Sequence, residues 1–123
     1  MSYKLRLSTP ALADIEHILE WTTSAFSTSG RKRYEALIQT ALIALAANPT
    51  RLGTRQRDDI APAICTYHLA SSRKHSTHAT QVAKPRHLIL FRINAENGST
   101  TEVQILRFLH DSMDFAQHVP VDE

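Results

Sequence analysis

The sequence contains a single cysteine, Cys65, in 123 residues. One cysteine cannot form a disulfide within the chain, and it has no second cysteine with which to build a metal-binding knuckle. We therefore expect Cys65 to be a small core residue, with a reactive thiol as the alternative. A fold that is stabilised by disulfides within the chain is therefore excluded.

Long apolar runs are also missing. A membrane span needs about eighteen consecutive apolar residues, and no stretch reaches that length. The first ten residues, MSYKLRLSTP, lack the apolar core of a signal peptide. We expect a cytoplasmic protein without a membrane partner. No internal repeat is visible, and hydrophobic residues at 42% with charged residues at 21% predict one folded domain over residues 1–123.

Acidic residues are scarce in the middle of the chain. Residues 51–95 hold eight lysines and arginines but two aspartates, whereas residues 96–123 hold six acids and one arginine. The middle third could therefore attract an acidic partner. The alternative is that the two segments neutralise each other within the fold.

Two apolar runs, residues 87–93 and 103–109, flank a polar connection that contains Asn97 and Gly98. Asn-Gly favours the positive φ angles of a tight turn, so the pattern predicts a long central β-hairpin. Leu88 and Leu90 fall on one side of the first strand, and Ile89, Phe91 and Ile93 fall on the other. We expect the hairpin to be covered on both faces.

The first half of the chain predicts a strand followed by two helices. Residues 3–7 alternate as a strand does; Thr9 can cap a helix and Pro10 suits its first position. Apolar residues then recur at helical spacing on both sides of a polar break at residues 27–30, which predicts an antiparallel helical hairpin. The second helix ends at Asn48.

The remaining segments complete an α+β fold. Residues 50–62 and 70–85 are loops by composition, the second long and mobile, and residues 63–69 are a short strand between them. Asp111 opens a last helical turn. The predicted order is strand, two helices, three antiparallel strands and a short helix.

Several segments together resemble the ParE branch of the RelE/ParE toxins of bacterial type II toxin-antitoxin systems. They are ALADIEHILEWT, RYEALIQTALIALAANP, TYHLASSR, PRHLILFRI and EVQILRFLHDSMDFAQHVP. The resemblance covers nearly the whole chain. It implies a cytoplasmic toxin that poisons DNA gyrase and is held inactive by a ParD-like antitoxin. The toxin would contact DNA only indirectly, through gyrase or the antitoxin complex. The resemblance implies no cofactor.

RelE-type relatives instead cut messenger RNA on the ribosome, and this is the alternative function. RNA cleavage needs a base, an acid and a cation at phosphorus, which this chain could draw from Arg73, Arg86, His87 and His110. Asp111 and Asp114 follow the last strand, however, and would repel a phosphate backbone. We therefore predict no catalytic residue and a toxin that acts by binding.

The predicted gyrase contacts are Ser72, Arg73 and Lys74, which begin the polar loop where nothing nearby in sequence neutralises the charge, together with Arg86 at the start of the central strand. The structural alternative pairs Arg86 and His87 with Asp111 or Asp114, and Arg92 and Arg107 with Glu102 or with backbone carbonyls. His75 and His78 are three residues apart but lack further ligands, so we predict no metal site.

The resemblance places antitoxin binding on the helical hairpin and the adjoining face of the sheet. We expect the contacts to be Trp21, Arg31, Arg33, Tyr34 and Leu37, which suit an amphipathic helix or an added strand. For Trp21 the alternative is an anchor that packs the helix face. A third reading is a non-toxic protein whose only role is to bind the antitoxin.

Overall fold

A computed structural model describes residues 3–75, 82, 84–96 and 99–119. It is an α+β fold in which one long helix packs on a five-stranded sheet. The elements are β1 (Lys4–Leu7), α1 (Thr9–Ala47), β2 (Thr54–Gln56), β3 (Cys65–His68), β4 (His87–Glu96) and β5 (Ser99–His110), with 3₁₀ helices at Leu69–His75 and Phe115–His118. No helix in these ranges is long and apolar enough to cross a membrane.

The strands lie in the order β1-β5-β4-β3-β2. β1 runs parallel to β5, and the other neighbours are antiparallel. The sequence analysis predicted four strands and missed β2, whose residues read Thr-Arg-Gln and carry no apolar alternation. β2 instead forms because it pairs with β3, with Thr54 opposite Tyr67.

The predicted central hairpin is confirmed. β4 and β5 pair from His87 opposite His110 to Glu96 opposite Ser99, and the Asn97-Gly98 turn between them lies outside the described residues. Ile89 and Phe91 face the helix in the main core, whereas Leu88 and Leu90 belong to a second apolar cluster. Both faces of β4 are therefore covered, as its continuous apolar run predicted.

A β-bulge shifts the face alternation of β5. Leu90 pairs with Arg107 but Phe91 pairs with Ile105, so Leu106 is the extra residue. As a result Ile105 and Phe108, three apart, both enter the main core, while Leu106 enters the second cluster.

The helix α1 is bent at Ser27, whose φ of 79° and ψ of 177° are not helical. A straight helix of its 39 residues would be about 58 Å long. The Tyr3 N–H, however, donates to the Ala46 carbonyl at 2.6 Å, and Tyr3 is only six residues from the start of the helix, a span of at most about 22 Å. The chain therefore reverses direction at Ser27. Two separate helices with a break over residues 27–30 were predicted, whereas the structure has one helix, Thr9–Ala47, that bends at a single residue.

Two helix caps differ from the predictions. Ser8, not Thr9, caps α1: its Oγ accepts from the Ala11 N–H at 3.1 Å. Pro10 does lie in the first turn, where its missing N–H costs nothing. The last 3₁₀ helix begins after Asp114, so Asp111 is not its cap.

An ion pair ties the first arm of α1 to β5. Arg107 donates from Nε and Nη2 to the two carboxylate oxygens of Asp14 at 2.7 and 2.9 Å. The same carboxylate accepts from the Phe108 N–H at 3.0 Å, and Arg107 also donates to the His118 carbonyl. Arg107 therefore has a backbone-carbonyl partner, as predicted. Glu102, the other predicted partner of Arg107, pairs with Arg6.

Cys65 is buried, as predicted, and burial raises the pKa of its thiol. The polar segment expected to be a mobile loop begins as the 3₁₀ helix Leu69–His75. Residues 76–81 and 83, including His78, lie outside the described part of the chain.

Candidate functional site

A cavity of about 580 Å³ lies between the bent helix and the start of β4. Most of its exposed wall is apolar, although cationic and imidazole side chains also line it. The lining residues are Trp21, Thr22, Phe26, Gly30, Arg33, Tyr34, Val82, Lys84, Arg86, His87 and His110.

The helix supplies two large aromatic side chains that the core does not cover. Trp21 is 56% exposed and Phe26 is 59% exposed, and their rings meet edge to face with centroids 5.6 Å apart. Gly30 is buried one turn beyond Phe26. A Cβ at Gly30 would lie 2.6 Å from the Phe26 Cβ, so only glycine lets the chain turn this closely at the bend.

Tyr34 and His87 form a neutral hydrogen-bonded pair in the wall, with Tyr34 Oη 2.6 Å from His87 Nδ1. The backbone N–H groups of Arg86 and His87 face the hydroxyl oxygen, which leaves the hydroxyl proton to donate to Nδ1. Burial raises the pKa of Tyr34 to about 12. Burial, followed by the neighbouring His110, lowers the pKa of His87 to about 4. At neutral pH both side chains are therefore uncharged, and His87 carries its proton on Nε2.

His110 continues the wall at the end of β5. Its ring meets that of His87 edge to face at 5.4 Å, and its Nδ1 accepts from the Ser112 N–H at 3.2 Å. A second cavity of about 400 Å³ opens on this side. Its lining residues are His17, Ile18, Trp21, His87, His110, Ser112 and Met113.

Arg86 is held by Asp111, the partner that the structural alternative predicted. Its Nη2 and Nε donate to Asp111 Oδ1 at 2.9 and 3.1 Å. His68 Nδ1 accepts from the Ala70 N–H, so its Nε2–H donates to Asp111 Oδ2 at 3.0 Å. The hydrogen bonds from Arg86 are the main reason that the pKa of Asp111 falls to about 2. The carboxylate is charged at neutral pH and offsets the Arg86 charge.

The cavity joins residues that the sequence analysis assigned to different roles. Trp21, Arg33 and Tyr34 were predicted to bind the antitoxin, Arg86 to bind the target, and His87 and His110 to serve a nuclease. All six line the same wall.

Other predicted residues lie elsewhere. Leu37 and Ser72 have no exposed surface, and the Ser72 hydroxyl is bonded to that of Tyr67 at 2.7 Å, so neither presents its side chain to a partner here. Arg73 donates to the Val82 carbonyl at 2.6 Å. Arg31 is half-buried on α1 but does not line the cavity, and Lys74 lies in the 3₁₀ helix Leu69–His75.

Phe26, Gly30 and Lys84 also line the cavity, although the sequence did not predict them as site residues. Phe26 immediately precedes the polar break and Gly30 is its last residue. An aromatic residue beside such a break is a weak signal that it lines a cavity at the bend. Lys84 precedes Pro85 in a segment without periodicity, so nothing in the sequence placed it opposite the helix. Within the ranges that the structure describes, no three His, Cys, Asp or Glu side chains group to hold a metal ion.

The fold and the site together define a small α+β protein whose bent helix and mixed five-stranded sheet enclose a basic, aromatic-walled hollow. The family model for the ParE toxin of the type II toxin-antitoxin system parDE matches residues 5–115. The chain therefore belongs to the ParE toxin family.

A solved structure agrees with this fold. The crystal structure of the toxin-antitoxin complex RelBE2 from Mycobacterium tuberculosis contains a chain that is similar with a TM-score of 0.52 at 21% sequence identity. The match covers 89% of this chain and 99% of that one. The comparison with curated proteins gave no match.

Proposed function

We propose that this ParE-family toxin inhibits DNA gyrase by binding it, acts in the cytoplasm, and is neutralised by a ParD-like antitoxin. Family membership over residues 5–115 supports the toxin role. Binding is favoured over catalysis because His87 and Arg86 already bond to other side chains of this protein. His87 is hydrogen-bonded to Tyr34, and Arg86 is paired with Asp111.

His87 is poorly suited to general acid–base chemistry. A base needs a free lone pair, but Nδ1 of His87 already accepts from Tyr34 and Nε2 carries the proton. An acid needs an imidazolium near neutral pH, whereas the pKa of His87 is about 4. Arg86 is likewise opposed by Asp111, whose charge would repel a phosphate beside it.

Ribosome-dependent mRNA cleavage is the second candidate, because His87, His110, Arg33 and Arg86 line one hollow. Three of the four residues named for the nuclease alternative lie there, and Arg73 contacts Val82 in the same wall. A protein that only binds the antitoxin is the third candidate.

The gyrase proposal is tested with purified toxin and gyrase in a DNA supercoiling assay. We expect loss of supercoiling together with accumulation of cleaved DNA, and relief of both on adding antitoxin. Charge reversal at Lys84 is expected to weaken inhibition if the target engages this wall. A matched change at Lys32, which is exposed on α1 and does not line the cavity, is the control.

Unchanged supercoiling and unchanged DNA products at saturating toxin would falsify the gyrase proposal. Rapid loss of mRNA on expression without antitoxin, with normal supercoiling, would establish the nuclease instead. Normal growth under the same expression would leave only antitoxin binding.

We propose that the antitoxin covers the face formed by Trp21, Arg33 and Tyr34, with Arg31 beside them. Trp21 is too exposed to act mainly as a packing anchor. Leu37 supports this face from within the core, where it has no exposed surface.

A further inference from the structure

The first strand and the first arm of α1 form a unit that is joined to the rest of the chain through one strained residue. This N-terminal unit comprises residues 4–26, and it is followed by Ser27, whose φ and ψ are not helical. Beyond Ser27 the helix continues to Ala47. A rotation of the backbone at Ser27 is therefore enough to swing the whole N-terminal unit away from the sheet.

The contacts that hold the N-terminal unit do not require it to belong to the same chain as the sheet. β1 pairs in parallel register with β5. Ser8 Oγ donates to the Leu106 carbonyl at 2.7 Å, and the Asp14 carboxylate pairs with Arg107. Each contact joins groups that are far apart in sequence. The sheet of a second copy therefore presents the same partners in the same arrangement.

The reversal at Ser27 costs free energy that a straight helix does not. Its φ of 79° and ψ of 177° lie in a region that is favourable essentially only for glycine. The bend is supported locally by an exposed hydrogen bond between the Ser27 and Ser29 hydroxyls at 3.2 Å. If Ser27 becomes helical, α1 straightens and the strain is released. Short strained hinges of this kind favour exchange of an element between two copies.

The two arms of α1 are nearly equal in length, which suits pairing between two straightened copies. Residues 9–26 and 28–47 span about 27 and 30 Å at 1.5 Å per residue. In an antiparallel pair, the first arm of each copy therefore lies along the second arm of the other. The two hinges then meet near the centre. Trp21 and Phe26 are each more than half exposed on this side of the hinge, and the second copy offers them apolar surface to cover.

We propose that two copies of this toxin exchange residues 4–26 about a hinge at Ser27 and form a domain-swapped dimer. In the dimer, β1 of each copy pairs with β5 of the other, and Asp14 of each copy pairs with Arg107 of the other. The cavity is then built from two chains, because Trp21 of one copy lies beside Tyr34 of the other. The exchange does not depend on inhibition of gyrase.

Size-exclusion chromatography with light scattering tests for the dimer after refolding from urea at low and at high protein concentration. Ser27→Ala favours a helical hinge, whereas Ser27→Gly favours the reversal and weakens a helix. We expect the dimer dissociation constant of Ser27→Gly to exceed that of Ser27→Ala by about tenfold or more, because each dimer contains two hinges. Ser24→Ala is helical in both forms and is the matched control, with wild-type behaviour expected.

A cross-link between chains distinguishes exchange from other modes of dimerisation. Lys4 lies opposite Glu102 on the neighbouring strand, a spacing that a disulfide can bridge. Chains carrying Lys4→Cys and chains carrying Glu102→Cys are refolded together and oxidised, and we expect a covalent dimer of the two. Lys32→Cys, at an exposed position on the second arm of α1, replaces Lys4→Cys in the control and should give no such dimer. One chain carrying both strand changes should close its disulfide within the monomer, which shows that the pair can form.

Three results would each overturn the exchange. The first is a monomer at every concentration in both wild type and Ser27→Ala. The second is equal dimerisation of Ser27→Ala and Ser27→Gly, which would place the contact away from the hinge. The third is a dimer of the mixed cysteine variants that is not covalently linked, although the doubly substituted monomer is. Circular dichroism melts show that each variant is folded. A dimer that forms as expected in a toxin without effect on gyrase would overturn the proposed function alone.

Discussion

Tyr34 and His87 show how a residue's surroundings decide what it can do. Each is a common functional residue, and together they line the hollow that unites the predicted site residues. Their mutual hydrogen bond and their burial hold both neutral. The sequence could identify His87 as a candidate, but only the fold shows that Tyr34, 53 positions away, occupies its Nδ1.

The lowered pKa of His87 predicts a pH-dependent stability. The pKa is about 4 in the folded chain, against 6.5 for an ordinary histidine, so between these values the unfolded chain binds a proton that the folded chain does not. Stability therefore falls as the pH falls from 6.5 towards about 4, and this loss levels off below it. His87→Asn keeps an acceptor for Tyr34 but does not titrate, so its decline should be smaller.

The measurement is the free energy of unfolding by urea at pH 7 and pH 4.5. The matched control is His17→Asn, which removes an exposed histidine of α1 that takes no part in the Tyr34–His87 pair. Equal pH dependence in wild type and His87→Asn would contradict the assignment.

Asp111 stabilises the fold through Arg86 and His68. Its pKa of about 2 means that this contribution is fully present above the ordinary value of 3.8 and is lost as the pH falls through about 2. At pH 7 we expect Asp111→Asn to cost about 1 kcal/mol, because solvent screens a pair whose arginine is 59% exposed. Asp114→Asn changes an exposed acid with no side-chain cap bond and should cost nothing measurable.

Thermal and urea unfolding measure the stability of Asp111→Asn and Asp114→Asn relative to wild type. Equal stability of Asp111→Asn and wild type at pH 7 would show that the Arg86–Asp111 contact does not stabilise the protein. The sequence analysis did anticipate this contact, since opposite charges at the two ends of paired strands are readable from the hairpin pattern.

At the scale of elements, the bend in α1 shapes the hollow. Residues 27–30 read Ser-Thr-Ser-Gly and are weak helix formers, so the sequence suggested a four-residue break, whereas only Ser27 has non-helical φ and ψ. Conversely, the hairpin of β4 and β5 was readable because two continuous apolar runs flank the Asn-Gly pair. β2 was not readable, since a three-residue edge strand depends on its neighbour rather than on its own pattern.

The backbone at Ser27 predicts opposite effects for one substitution at two sites. With φ at 79° and ψ at 177°, Ser27 occupies a region that is essentially restricted to glycine and costs other residues about 1–3 kcal/mol. Ser27→Gly should therefore raise stability, by about 1 kcal/mol after the added entropy of the unfolded chain. Ser24→Gly, three residues earlier and helical, should lower it by about 0.5–1 kcal/mol.

Melting temperatures of the Ser27→Gly and Ser24→Gly variants test these opposite effects. A third variant, Ser27→Val, should lower the melting temperature. A lower melting temperature for Ser27→Gly than for wild type would mean that Ser27 is not strained.

For the whole molecule, the sequence predicted the α+β class and most strands but not the meeting of its candidate residues. Trp21 and Tyr34 were predicted to bind the antitoxin, Arg86 to bind the target and His110 to serve a nuclease, but the sequence did not place them at one site. Local patterns report which face a residue lies on. They do not report which distant segments meet, because that depends on a sheet order in which the first strand pairs with the last.

The position of β5 determines when the sheet can be completed. β5 lies between β1 and β4, so both neighbours pair with the strand that comes last of the five in chain order. A nascent chain in which residues 99–110 have not yet left the ribosome has no pairing partner for β1 and lacks His110 in the wall of the cavity. The sheet can therefore close only after residues 99–110 have been synthesised, and a chain that stops before them lacks the strand on which β1 pairs.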